Sequence, residues 1–144
     1  MAKKSTLYYI YSDLVNAVKN IVDSKYIFLG DRPNVNNEAT PMSKFVVISL
    51  PLRIDDRVIG NRKISLETEG VLHLFTLTKA NNTLNLNDTG EFIDKAMSLF
   101  PISGDYCVAT NPSVVLSGAD NLGYQAVTIR FDLRSRWGVF ENQN

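Results

Sequence analysis

The chain lacks the residues from which small catalytic and metal centres are usually built: it has one cysteine, Cys107, one histidine, His73, and one tryptophan, Trp137. A lone cysteine cannot close a disulfide within the chain, which points to a reducing compartment. One histidine and one cysteine cannot furnish a structural zinc set. An excess of charge is also missing, with 15 basic and 15 acidic residues among 144. Proteins held mainly by nucleic-acid phosphates carry a basic excess, so free DNA or RNA is not expected as the chief ligand. Zero net charge does little to keep copies apart, which suits life in an assembly. No run approaches the roughly 18 apolar residues of a membrane span. The opening residues include lysines but no apolar leader core, so neither a membrane nor a secretory route is expected.

What is present reads as one domain, 1–144. With 44% hydrophobic and 21% charged residues, the composition is that of an ordinary folded chain. Residues 5–23 carry Leu7, Ile10, Tyr11, Leu14, Val15, Val18, Ile21 and Val22 at the three-and-four spacing of one helical stripe, with Ser5 or Thr6 as its cap. A short strand over 26–29 stops at Gly30 and Pro33, and 34–43 is a polar loop. Residues 45–50 form a continuous apolar run suited to a strand covered on both faces.

Residues 52–63 are a mixed-charge tip around Asp55 and Asp56, with Gly60 and Asn61 as the hairpin turn. Residues 64–78 return as the second arm, with a bulge expected at Glu69 and Gly70. Arms of about 15 residues reach about 50 Å, whereas a domain of this size is less than about 40 Å across. Either Pro51 and Gly70 bend the arms back or the charged tip projects as a contact arm.

After a polar loop over 79–87, Asp88 and Glu91 have the spacing of a capping box. Phe92, Ile93, Ala96, Met97 and Phe100 make the apolar face of a second helix, which Pro101 ends. A hairpin closes the chain: 106–116, a turn over 117–123, then 124–136. In its last strand Val127, Ile129, Phe131 and Leu133 alternate with Ala126, Thr128, Arg130, Asp132 and Arg134, so one face is core and the other wet. The expected fold class is α+β: an antiparallel sheet with a long hairpin and two helices packed on it.

The sequence holds little that could do chemistry. A Ser-His-Asp reading would have to use His73 as base, and Ser103 and Ser117 sit in Ser-Gly turns rather than nucleophile elbows. Cys107, between Tyr106 and Val108, reads as a buried thiol. Asp55 and Asp56 are neighbours on a strand and so point to opposite faces. Phosphate-cradling glycine motifs are absent. No catalytic, cofactor or metal residue is therefore assigned, no cofactor is expected, and the chain is not read as an enzyme. Arg130, Arg134 and Arg136 with Asp132 form an alternating-charge strip that suits salt bridges between subunits.

The element order resembles that of bacteriophage tail-terminator and tail-completion proteins of the neck. The local likeness lies in Glu69, Gly70, Val71, Leu72, His73, Leu74 and Phe75, then a polar loop, Asp88 to Pro101, and the closing strand from Gly123 to Leu133. The resemblance implies a tail-terminator-like fold and a virion protein assembled in the host cytoplasm. It implies a homo-oligomeric ring between portal or connector and tail proteins, with a channel through which DNA passes unread. The expected interface residues are Arg53, Asp55, Asp56, Arg57, Arg62 and Lys63 on the tip, and Arg130, Asp132 and Arg134 on the last strand. The tip departs from an acidic or neutral channel lining, so it is expected to meet a neighbouring ring. The other reading is a small α+β ligand- or peptide-binding module of a bacterial cell, with a concave apolar pocket.

Overall fold

A computed structural model describes residues 6–30, 43–50, 55–59, 62–78, 84–119 and 123–135. Helix α1 spans Thr6–Val18, and α2 spans Leu86–Met97. Among the described residues seven strands form one sheet: β1 Ile27–Leu29, β2 Lys44–Ser49, β3 Asp55–Ile59, β4 Arg62–Leu77, β5 Ile102–Ser103, β6 Cys107–Ala119 and β7 Tyr124–Ser135. Their order is β1-β2-β4-β7-β6-β5, with β3 on the same side of β4 as β2. The mixed α+β class is as the patterns predict. The sheet is not purely antiparallel, however, because β1 runs parallel to β2.

Both helices pack on one face. Ile10, Leu14, Val18 and Val22 from the first stripe, with Phe92 and Ala96 of α2, bury against Val46, Ile48, Leu72, Leu74, Val127, Ile129, Phe131 and Leu133. The α-helix itself stops at Val18, five residues before the predicted end. There the hydrogen bonds tighten to i−3, from Asn20 N–H to Ala17 C=O and from Ile21 N–H to Val18 C=O, which still turns Val22 onto the core. The hydroxyls of Thr76 and Thr89 are 2.8 Å apart and anchor α2 to β4.

The cap of α2 is Asn85 rather than Asp88. Its Oδ1 accepts from Asp88 N–H at 3.4 Å, while its Nδ2 donates to Asp88 Oδ2 at 2.7 Å. The reciprocal pair thus begins one turn earlier than the spacing of Asp88 and Glu91 suggests. Glu91 instead pairs with Lys95 at 2.9 Å along the helix.

The predicted bulge at Glu69 and Gly70 is absent: the β4–β7 ladder runs without interruption from Glu67↔Arg134 to Leu77↔Tyr124. The irregularity lies in the β3–β4 pairing, between Arg57 and Val58. Gly70 serves a different purpose, because the ring of Phe131 lies where its β-carbon would be.

Candidate functional site

The face of the sheet opposite the helices is divided along its strands. At one end Phe45 stacks on Phe75 at 4.6 Å and meets Phe28 and Tyr124 edge-on. With Val47 these rings form a second, smaller core, so the predicted wet face of β7 is wet only from Thr128 onward. The apolar run of β2 is buried on both faces as predicted, since Phe45 and Val47 serve one cluster and Val46 and Ile48 the other.

At the other end of β7, Arg130, Asp132 and Arg134 are exposed. They share ranks with Val71, Glu69 and Glu67 of β4 and with Ser113, Thr110 and Val108 of β6. Asp132 Oδ2 accepts from Asn111 Nδ2 at 2.9 Å. A hollow of about 350 Å³ lies here, lined by Thr68, Val108, Thr110, Asp132, Leu133 and Arg134. The three β7 charges therefore form one surface, as the alternation predicts.

The other predicted interface residues reach a second place, a ribbon of β3 and β4. Asp55, Asp56 and Arg57 lie on β3, and Arg62 and Lys63 on β4, with Asp55 opposite Glu67 and Ile59 opposite Arg62. Over Arg62–Leu66, β4 pairs with β3 alone among the described residues. Arg53, the turn residues 60 and 61, Arg136 and Trp137 lie outside the described residues, as do 34–42 of the predicted loop over 34–43 and 79–83 of the predicted loop over 79–87.

Between aromatic and charged ends runs a polar line that the sequence reading missed. His73 Nε2 lies 3.3 Å from Ser49 Oγ, and its Nδ1 lies 3.5 Å from Thr128 Oγ1, which in turn is 3.5 Å from Ser117 Oγ. Ser49 sits two positions from Val47, the cross-strand partner of His73, and a sequence pass has no register from which to see that diagonal. No carboxylate bonds the ring among the described residues, where a nucleophile-activating histidine would have one to orient it. Burial, and then the charge of Arg130, hold the His73 pKa below its ordinary 6.5. The folded protein therefore takes up this proton less readily than the unfolded chain. Stability from this site is complete above pH 6.5 and is lost as pH falls below it toward the folded-state pKa. In urea melts at fixed protein concentration, His73→Gln is expected to flatten that acid-side slope; an unchanged slope would assign it to other groups.

Cys107 is fully buried, as the flanking residues predict. No group of three or more metal-ligating side chains occurs among the described residues, and no helix is long and apolar enough to cross a membrane.

Neither a family model nor a curated protein matches the sequence. Solved structures do match. One of them, a protein with no functional name, has a TM-score of 0.52 at 11% identity, with 91% of this chain and 94% of that one covered. At that identity the likeness concerns the fold alone.

Proposed function

We propose that the chain is a structural subunit of a ring in a bacteriophage neck or tail, one that joins or terminates the tail and leaves a channel for DNA. The observation that carries this reading is the β3–β4 ribbon, which continues past the last rank that β4 shares with β7. A two-stranded ribbon gains little stability by itself in water, and this one carries charges of both signs along its length. It is suited to contact a neighbouring subunit or an adjoining ring. The element order also resembles that of tail-terminator and tail-completion proteins, with an N-terminal helix, a hairpin and a strand, a second helix and a closing hairpin. The work of such a subunit is binding: weak heterologous contacts become strong when the ring closes.

Size-exclusion chromatography with light scattering, followed by negative-stain imaging, tests the reading. The expected result is a closed assembly many times the 16.1 kDa chain mass. A monomer at all accessible concentrations, which also fails to join purified connector or tail particles, would overturn it. Deleting 55–62 is expected to abolish incorporation into particles while leaving the core folded. Undiminished incorporation would remove the ribbon from the interface.

A further inference from the structure

Among the described residues, strand β6 is poorly covered. Strand β5 pairs with it only at Val108 and Ala109, and β7 holds its other side. From Thr110 to Ala119 its outer edge bears no strand among the described residues. Irregularities between Thr110 and Ser113 and between Leu116 and Gly118 leave Ser113 to Leu116 as an in-register run. Within it Val115 and Leu116 are 56% and 58% exposed. Successive strand residues point to opposite faces, so this run is open on both faces as well as along its edge. Its sequence, CVATNPSVVLSGA, contains no charge. Proteins that leave a strand edge in water blunt it with charge, proline or bulges. On β6, Pro112 and the two irregularities flank the run, whereas Ser113 to Leu116 itself carries neither charge nor proline and is suited to be covered.

The opposite edge of the sheet supplies a matching occupant. Strand β1 pairs only with β2 among the described residues, is equally free of charge, and exposes Leu29 at 53%. The ladders place it at the height of the open run. Ile27 shares a rank with Val46, Leu74, Val127 and Leu116; Phe28 with Val47, His73, Thr128 and Val115; Leu29 with Ile48, Leu72, Ile129 and Val114. Direction matches too. Strand β1 runs with β2 and β7 and against β4 and β6, so the β1 of a copy rotated about the strand direction meets β6 antiparallel. Two uncharged edges join without burying an unpaired charge, whereas Arg130, Asp132 and Arg134 stay on the exposed face.

We propose that residues 113–116 of β6 accept β1 of a second copy of this chain, so that the sheet continues from one subunit to the next. This rests on the ring reading and names its seam. The two edges are different surfaces, so the contact is heterologous and propagates around a ring rather than ending at a dimer.

Paired cysteines test the seam, with the parent chain, whose Cys107 is buried, as the unreactive control. Leu29→Cys is combined with Val114→Cys, or with Leu116→Cys two positions along the same face, because closing a sheet staggers its strands. With a short bismaleimide, at least one double variant is expected to give a ladder of covalent multimers, and Leu29→Cys alone none. In the assembled wild-type background, Leu116→Lys is expected to weaken self-association about tenfold or more, read as a shift toward the monomer mass. Covalent dimers from Leu116→Cys alone, with no ladder from the doubles, would mean that β6 pairs with β6 and would overturn the seam. Intact rings without a ladder would overturn the seam and leave the ring reading standing. A chain that is monomeric under every condition would overturn both.

Discussion

Gly70→Ala is expected to destabilise the fold by about 3 kcal/mol and to lower the melting temperature by about 10 °C. Gly70 is buried in the middle of β4, opposite Phe131 on β7. A β-carbon there would overlap Cε2 and Cζ of the Phe131 ring. That ring cannot simply swing aside, because Phe100, in the segment that follows α2, lies against it at 5.1 Å. Glycine in a strand normally weakens it; here its missing side chain makes room for the aromatic contact between sheet and helix exit. The diagnostic measurement is a double-mutant cycle. Phe131→Leu alone leaves a partial void, but in the Gly70→Ala background it is expected to recover part of the lost stability. If the two effects simply added, the overlap with Phe131 would not be the cause. Melts belong at one protein concentration, since assembly would shift them.

Gly70 also shows where reading a sequence stops. Its setting between Glu69 and Val71 identifies an unusual strand position, and a bulge and a close approach leave the same mark. Only the partner across the ladder separates them, and that partner is about 60 residues away. The same limit hid the parallel pairing of β1, because three apolar residues specify a strand but not its direction. Features set by local periodicity were legible. The stripe of α1, the two-sided burial of β2 and the alternation from Val127 to Arg134 all follow from spacings of 3.6 or 2. The cap of α2 fell between these cases: Asn85 and Asp88 form the reciprocal pair, but an equally good spacing three residues later competed with it. For the candidate interface, composition marked the charged ribbon and the β7 strip. The open edge of β6 was invisible, because the pattern over 106–116 marks a strand but not which of its sides lacks a partner among the described residues.

Asp13→Ala is expected to cost about 3 kcal/mol, although the sequence pattern treats Asp13 as one more polar position on an amphipathic helix. The side chain is 7% exposed, and its Oδ2 accepts the backbone N–H groups of Tyr106 at 2.7 Å and Cys107 at 2.9 Å. Those amides open β6, so one carboxylate ties α1 to the start of the closing hairpin across more than 90 residues. Next to it Tyr9 stacks on Tyr106 with ring centroids 4.4 Å apart. Truncation leaves buried donors without their acceptor, at about 1–3 kcal/mol each. Asp13→Asn retains an oxygen in the same place and is expected to keep at least half of the stability that alanine loses. Gly104 completes the arrangement, because a β-carbon there would overlap the Asp13 carboxyl group. Gly104→Ala should therefore be about as damaging as Asp13→Ala in the wild-type chain, and less damaging once Asp13 is alanine, when only the β-carbon of residue 13 is left within 3.0 Å of the new one. Additive losses would mean that the carboxylate and the glycine act independently. The coupling also bears on assembly, since a loosened start of β6 would displace the strand whose open edge lies from Ser113 to Leu116. Asp13→Ala is accordingly expected to weaken self-association even at temperatures where the chain remains folded.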